Sequence, residues 1–382
     1  MIDNLIACFY YFIAFFFVIN VIVIVHEFGH YLAARKVGAK VVKFSVGMGP
    51  EICGVDDKHG TRWCISAFPV GGFVMMLGDG DIASATTDEE LVEQLSEEEK
   101  KMTITSKSNW EKILVSFAGP FFNYVYAFVA LVILGFSYGL PKYNAIIGEV
   151  QQESAAMEAG LQKNDKILAV DNQKVTEFRE ISRIMRDSEA EKFRFEIERE
   201  GQQLSVEITP KIKEKRTLFG GIKKIRQLGI TQSSPTFVKK TFSEAFVAAW
   251  NECVTVTKGI SESLMKLFSG KRSLDDFGSI VHMASVAGKL SQEGNLAMLI
   301  VFTITLSLNL GYINLLPLPV LDGGNIFMCL IEQISGRKIN PKIQEYVMMF
   351  FAILLILLML IMMANDIVRF DAVNNFISSL LG

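Results

Sequence analysis

The chain lacks the means to be held together by disulfides. Its five cysteines, Cys8, Cys53, Cys64, Cys253 and Cys329, are an odd and scattered set with no framework spacing. Cys53, His59 and Cys64 stand near enough to raise a second metal site, but their spacing matches no common zinc pattern, and reduced thiols are the plainer reading. A basic excess is missing too. The net charge is −3 and no basic stripe stands out, which argues against a nucleic-acid partner. No Lys or Arg precedes the first apolar run and no small-residue cleavage site follows it, so it is not read as a removable signal peptide. Internal repeats are absent as well, which speaks against a transporter with broken helices in duplicated halves.

What the chain has in quantity is apolar length. Hydrophobic residues make up 50% and mean hydropathy is +0.32. Four uncharged stretches, 5–25, 113–140, 296–321 and 346–364, are each long enough to cross a bilayer, which takes roughly 17–25 residues. The second holds Pro120 and the third Pro317 and Pro319, so both are expected to be kinked or partly unwound. Irregular backbone at membrane depth is tolerated only where protein or a water-filled cavity surrounds it, which points to a polar site inside the bundle. Only Asp3 is charged before the first span, whereas Arg35, Lys36, Lys40 and Lys43 follow it. Lys107 and Lys112 lead into the second, and Arg337, Lys338 and Lys342 separate the third from the fourth. The positive-inside rule then makes both short loops cytoplasmic and both termini extracytoplasmic.

The first span runs directly into Val25-His26-Glu27-Phe28-Gly29-His30. H-E-x-x-H on a helix sets two imidazoles one turn apart on one face, spaced to grip a single zinc, with the glutamate placed as general base toward a bound water. Ionisable residues are costly at the end of a membrane-length segment and rarely idle there. The pattern is that of a metalloprotease working inside a membrane. A catalytic zinc usually takes three protein ligands, so one more is needed. Spans one and three run in the same direction, and their C-terminal ends, at His26 and at Asp322, share a face. Asp322 is the only acid in that part of the third span and its flank, the alternative being a helix-capping aspartate after the proline break.

Elsewhere, 61–77 reads as strand-turn-strand, and Val70-Gly71-Gly72-Phe73-Val74 suits a hairpin dipping into the membrane, a small cytoplasmic β-domain being the other reading. Residues 143–211 read as one soluble module, a compact β-domain with two helices on the outer side. Residues 236–293 read as amphipathic helices lying in the outer interface or packed on that module. The expected order is 1–36 (first span with HEFGH), 37–112 (cytoplasmic loop with the hairpin), 113–140, 143–211, 236–293, 295–324 and 346–364. The fold class is a polytopic α-helical membrane protein with four transmembrane helices, a re-entrant β-hairpin and one extracytoplasmic α+β domain.

HEFGH at 26–30, AGPFFN at 118–123 and NLLPLPVLDGG at 314–324, in this order, resemble the site-2 protease family of intramembrane zinc metalloproteases (peptidase M50). The module at 143–211 is PDZ-like and is similar to that of the bacterial regulator-of-sigma-E protease branch. The resemblance implies one Zn²⁺ per chain on His26, His30 and Asp322, with Glu27 as general base. It implies that Asn309 and Asn314 handle the substrate backbone, interhelical hydrogen bonding being their alternative role, and that the Gly71-Gly72 element clamps an extended substrate by strand addition. Gly119-Pro120 and Asn123 are expected to shape packing beside the zinc. Implied partners are the lipid bilayer, single-span substrates such as a pre-trimmed anti-sigma factor or signal-peptide remnants, and an upstream site-1 type protease, in a bacterial inner membrane with the zinc towards the cytoplasm. An inactive membrane PDZ scaffold is the rival. Two departures stand out: one PDZ-like module where the best-known members of the branch carry two, and Gly278-Ser279-Ile280 where relatives tend to have Gly-Pro.

Overall fold

The computed structural model describes residues 2–80, 89–188, 190–216, 222–270 and 280–369. Gly278 and Ser279 lie outside them. The chain divides into two units, Met1–Ile133 with Phe246–Gly382, and Leu134–Ala245.

The first unit begins with α1 (Ile2–Lys36), which continues past the apolar run through HEFGH and ends on Arg35 and Lys36, cations that suit the negative end of a helix. Two strands follow, β1 (Val41–Asp56) and β2 (Arg62–Met76), then short helices α2 (Glu89–Gln94) and α3 (Glu97–Lys100). α4 (Asn109–Ser137) starts on a reciprocal cap, in which Ser108 and Glu111 each take the other's backbone N–H, and carries Pro120 inside it. Among the described residues, four helices are long and apolar enough to cross a membrane: Phe9–Lys36, Asn109–Ser137, Leu296–Asn314 and Lys342–Ala364.

β1 and β2 fold into more than a simple hairpin. Lys43 to Val46 are matched on one side by Met75 to Gly72, in falling order, and on the other by Arg62 to Ile65, in rising order. Glu51 to Asp56 then pair back on Ser66 to Arg62. Two strands thus supply a sheet ordered 51–56, 62–66, 43–46, 72–76. The expected strand-turn-strand over 61–77 is corrected in one respect: its two arms do not pair with each other but flank 43–46. Gly47 and Gly49, at φ +89° and +87°, let β1 bend across Phe68, a turn that side-chain patterning does not encode. The reversal between the strands is held by Asp57, whose carboxylate accepts from the N–H of Thr61 and His59 and from the Trp63 indole. The Thr61 N–H and then the Trp63 indole are the main reasons that its pKa is lowered to about 2. At the other bend, Asn20 in mid-α1 donates to the Pro69 carbonyl at 2.6 Å.

Close backbone approaches fix the helices. A Cβ at Gly29 of α1 would collide with the Ala118 carbonyl of α4, and the α1–α4 interface therefore needs glycine there. The remaining helices of this unit are α7 (Phe242–Phe268), α8 (Ile280–Gln292), α9 (Leu296–Asn314), α10 (Asp322–Ser335) and α11 (Pro341–Arg369), with α5 and α6 in the second unit. α8 packs on the first half of α1 through Ala284 and Ala287 against Ala14 and Phe15. α7 lies in the stretch read as amphipathic helices of the outer interface or packed on the soluble module, and it contacts two spans: Phe246 packs on Phe128 of α4, Thr257 bonds Tyr124 of α4, and Ser261 donates to Tyr312 of α9 at 2.8 Å. Hydroxyls supply two of those three ties, which an apolar period does not reveal.

The second unit holds β3 (Leu140–Lys142), β4 (Ile147–Val150), α5 (Ala155–Glu158), β5 (Lys166–Val170), β6 (Gln173–Lys174), α6 (Phe178–Asp187), β7 (Phe193–Arg199), β8 (Gln202–Ile208), β9 (Lys211–Arg216), β10 (Ile222–Gln227), β11 (Ile230–Gln232) and β12 (Thr236–Val238). The sheet order is β6-β5-β7-β8. Phe193, Phe195 and Ile197 alternate inward from β7 onto Ile181, Ile184 and Met185 of α6, period two against period three to four. The module does not end at 211. β11 pairs with β4, and β12 with β3, so three-residue strands too short to signal themselves close it.

Buried Asp165 is matched by Arg199 through two bonds of 2.7 Å. Arg199→Met leaves that carboxylate without its cation, a loss of about 3 kcal/mol for a buried pair. Hydrogen exchange on the full chain should show β5 and β7 deprotected; unchanged protection would count against this reading.

Candidate metal centre

The continuation of α1 past Val25 puts His26 and His30 on one face, one turn apart. α9 ends at Asn314, and 315–321 then turns back on itself, because Pro317 and Pro319 have no N–H with which to extend the helix. α10 begins at Asp322. A Cβ at Gly323 would overlap the Leu315 and Leu316 carbonyls, and one at Gly324 the Leu318 carbonyl, so the double glycine lets this loop close over the helix start. The Asp322 side chain does not cap α10. It faces the histidines.

His26 Nε2 lies 3.1 Å from Asp322 Oδ2, His30 Nε2 lies 3.4 Å from Asp322 Oδ1, and the two Nε2 atoms are 3.2 Å apart. A tetrahedral zinc with bonds of about 2.0–2.1 Å separates its ligand atoms by about 3.3 Å. The three therefore stand as the edges of such a site, and two imidazoles with one carboxylate are a zinc donor set. Among the described residues this is the one group of three or more such side chains able to hold a metal. Cys53, His59 and Cys64 do not gather with it.

Room for this cluster comes from α4. A Cβ at Gly119 would strike the His30 ring and stand 2.8 Å from His26 Cε1. His30 Nδ1 is 2.8 Å from the Val115 carbonyl, an atom that only accepts, so Nδ1 carries the hydrogen and Nε2 is left with its lone pair toward the site. His26 Nδ1 meets the Asn123 side chain at 3.1 Å. Neither α4 contact was foreseen as such. A carbonyl has no sequence signature, though AGPFFN flagged the segment.

Glu27 faces the sheet. Its carboxylate accepts from the Val74 N–H, and a Cβ at Gly72 would stand 3.8 Å from Glu27 Cγ and 2.7 Å from the Ser45 carbonyl. Gly72 therefore lets the 72–76 rung lie close against the Ser45 carbonyl of the 43–46 rung. Gly71, at φ +79°, lies beside Met48 at the bend. The two asparagines separate. Asn314 Nδ2 is 3.3 Å from His26 Nε2, at the centre itself. Asn309 donates to the Thr305 carbonyl of its own helix.

The sequence model of Peptidase family M50 matches residues 14–358. Three bacterial relatives bear the name "Putative zinc metalloprotease". That of Mesorhizobium japonicum is 32% identical over 87% of this chain and 92% of its own. That of Campylobacter jejuni is 36% identical over 88% and 87%. That of Rickettsia conorii is 32% identical over 93% and 98%.

His26→Ala, His30→Ala and Asp322→Ala should each lower zinc content in detergent-purified protein, and Gly119→Ala should do so by displacing His30. Normal zinc in Asp322→Ala would place the third ligand elsewhere.

Proposed function

Since this chain belongs to peptidase family M50 and is a multi-pass membrane zinc metalloprotease, we propose that it cuts single-span membrane proteins within their transmembrane segments. The observation that carries this reading is the donor set His26, His30 and Asp322 beside Glu27, on a helix whose twenty-one residues before His26 hold no charge. The positive-inside pattern favours a cytoplasmic-side zinc centre in a bacterial inner membrane, with both termini outside. The Asn20–Pro69 bond supports a re-entrant β element, since it ties the bend of the sheet to the middle of the first span.

A transmembrane substrate hides its carbonyls in i→i−4 hydrogen bonds and must be unwound locally before it is cut. The 72–76 rung has pairing partners along 43–46 on one side, and its other side is where Val74 meets Glu27. An extended substrate segment added there would lie against the base, with Gly71 and Gly72 leaving the approach open. When bound, zinc supplies Lewis-acid polarisation of the scissile carbonyl and of the attacking water. Glu27 takes the water's proton and returns it to the leaving amine. Asn314, beside the ligand atoms, is placed to donate to the developing oxyanion. Asn309 gives one amide hydrogen to the Thr305 carbonyl of its own helix.

The PDZ-like module acts in selection, by excluding membrane proteins with bulky outer domains until an upstream protease has trimmed them. A membrane scaffold without activity is the competing reading, and Glu27 separates the two. Glu27→Gln keeps shape and zinc but removes the proton acceptor, and proteolysis of a model single-span protein should fall by about 100–10,000-fold. Activity within a few-fold of the unaltered protein would remove Glu27 from that role.

Replacing 143–235 by a flexible linker keeps the β3–β12 ladder as a base. The altered protein should cut a full-length substrate that the intact one spares, and a pre-trimmed one at a comparable rate. Loss of cutting of the trimmed form, with zinc still bound, would make the module a recruiter instead.

A further inference from the structure

Asn123 is fully buried on α4, where its backbone carbonyl accepts from Ser307 Oγ of α9 at 3.1 Å. Its side-chain nitrogen stands 3.1 Å from His26 Nδ1, and its Oδ1 has no hydrogen-bond partner among the described residues. This pairing sets the His26 hydrogen on Nε2, where a metal must bind. Turning the carboxamide over exchanges oxygen and nitrogen with no change in shape, and removes the conflict at His26.

We propose that Asn123 is a positioning residue that presents Oδ1 to His26, accepts its Nδ1–H and so holds Nε2 bare toward zinc.

The rest of α4 argues the same way. Val115, Gly119 and Asn123 recur every fourth residue and so form one row along the helix. The row meets His26 and His30, which form the matching row on α1. Val115 accepts the Nδ1–H of His30, Gly119 leaves space for both rings, and Asn123 completes the set at His26. Both imidazoles then have the same tautomer, each fixed by an acceptor from one helix, and such partners orient metal-binding histidines generally. Packing between α4 and α9 does not call for this amide. The bond from Ser307 goes to the backbone of residue 123, which any side chain would leave in place.

The inference rests on zinc at His26, His30 and Asp322 and not on what the protein cuts. It is tested on the full chain in detergent, by zinc retained against a graded chelator series, with thermal melting as the control for folding. Asn123→Leu, similar in size but without an acceptor, should hold zinc about 10–100-fold less tightly. Asn123→Asp, which restores an acceptor for the same hydrogen, should hold it close to the original level. Ser307→Ala, which breaks only the α4–α9 bond, should leave zinc retention unchanged. A packing role predicts the opposite order, with leucine tolerated and the buried carboxylate harmful. Zinc retention in Asn123→Leu equal to that of the unaltered protein would overturn the proposal, as would an equal fall in the leucine and aspartate variants. If Asn123→Leu does not fold, Asn123→Ala is read by the same criterion.

Discussion

The closeness of α1 and α4 is the constraint on which the rest depends. Lipid tails are as apolar as the side chains between membrane helices, so little hydrophobic force draws such helices together. Contact must come from shape and from hydrogen bonds. Gly29 against Ala118 brings the two backbones together, and Gly119 makes a hollow where the two imidazoles lie. At that distance α4 can offer acceptors to the ring nitrogens that point away from the ligand cluster. Pro120 belongs to the same logic, since it leaves a carbonyl in this turn of α4 without its usual donor and loosens the local hydrogen-bond ladder.

The sheet is fixed to α1 on either side of Glu27. The two ties, Asn20 and Tyr31, stand eleven positions apart. Asn20 bonds the bend at Pro69, whereas Tyr31 packs edge-on against Phe44 and Trp63 and takes a hydrogen bond from Arg35. Between them, the Val74 N–H reaches the Glu27 carboxylate. The Glu27 carboxylate is thus positioned by the β element as well as by its own helix.

The parts legible in the sequence were those carried by side-chain type and spacing. HEFGH declared two imidazoles on one helical face, uncharged runs declared four spans, and span direction brought Asp322 to the histidines. Backbone atoms supplied most of what was hidden. The carbonyl of Val115 and the N–H of Val74 have no residue signature. The same holds for the sheet order, which depends on where glycines bend β1, and for β11 and β12, which are too short to show alternation. α7 ties to neighbouring spans in part through the Thr257 and Ser261 hydroxyls, which an apolar period does not count. Asn123 was noticed as part of a motif, but its direction was not.

The wide separation of the ligands along the chain also has a consequence for biosynthesis. Nearly 300 residues lie between His26 and Asp322. At synthesis rates of about 5–20 residues per second, Asp322 follows the two histidines by about 15–60 s. Throughout that interval the growing chain carries the pair of imidazoles and Glu27 without the Asp322 carboxylate. The cluster of His26, His30 and Asp322 therefore comes together only when the third span has been placed beside the first.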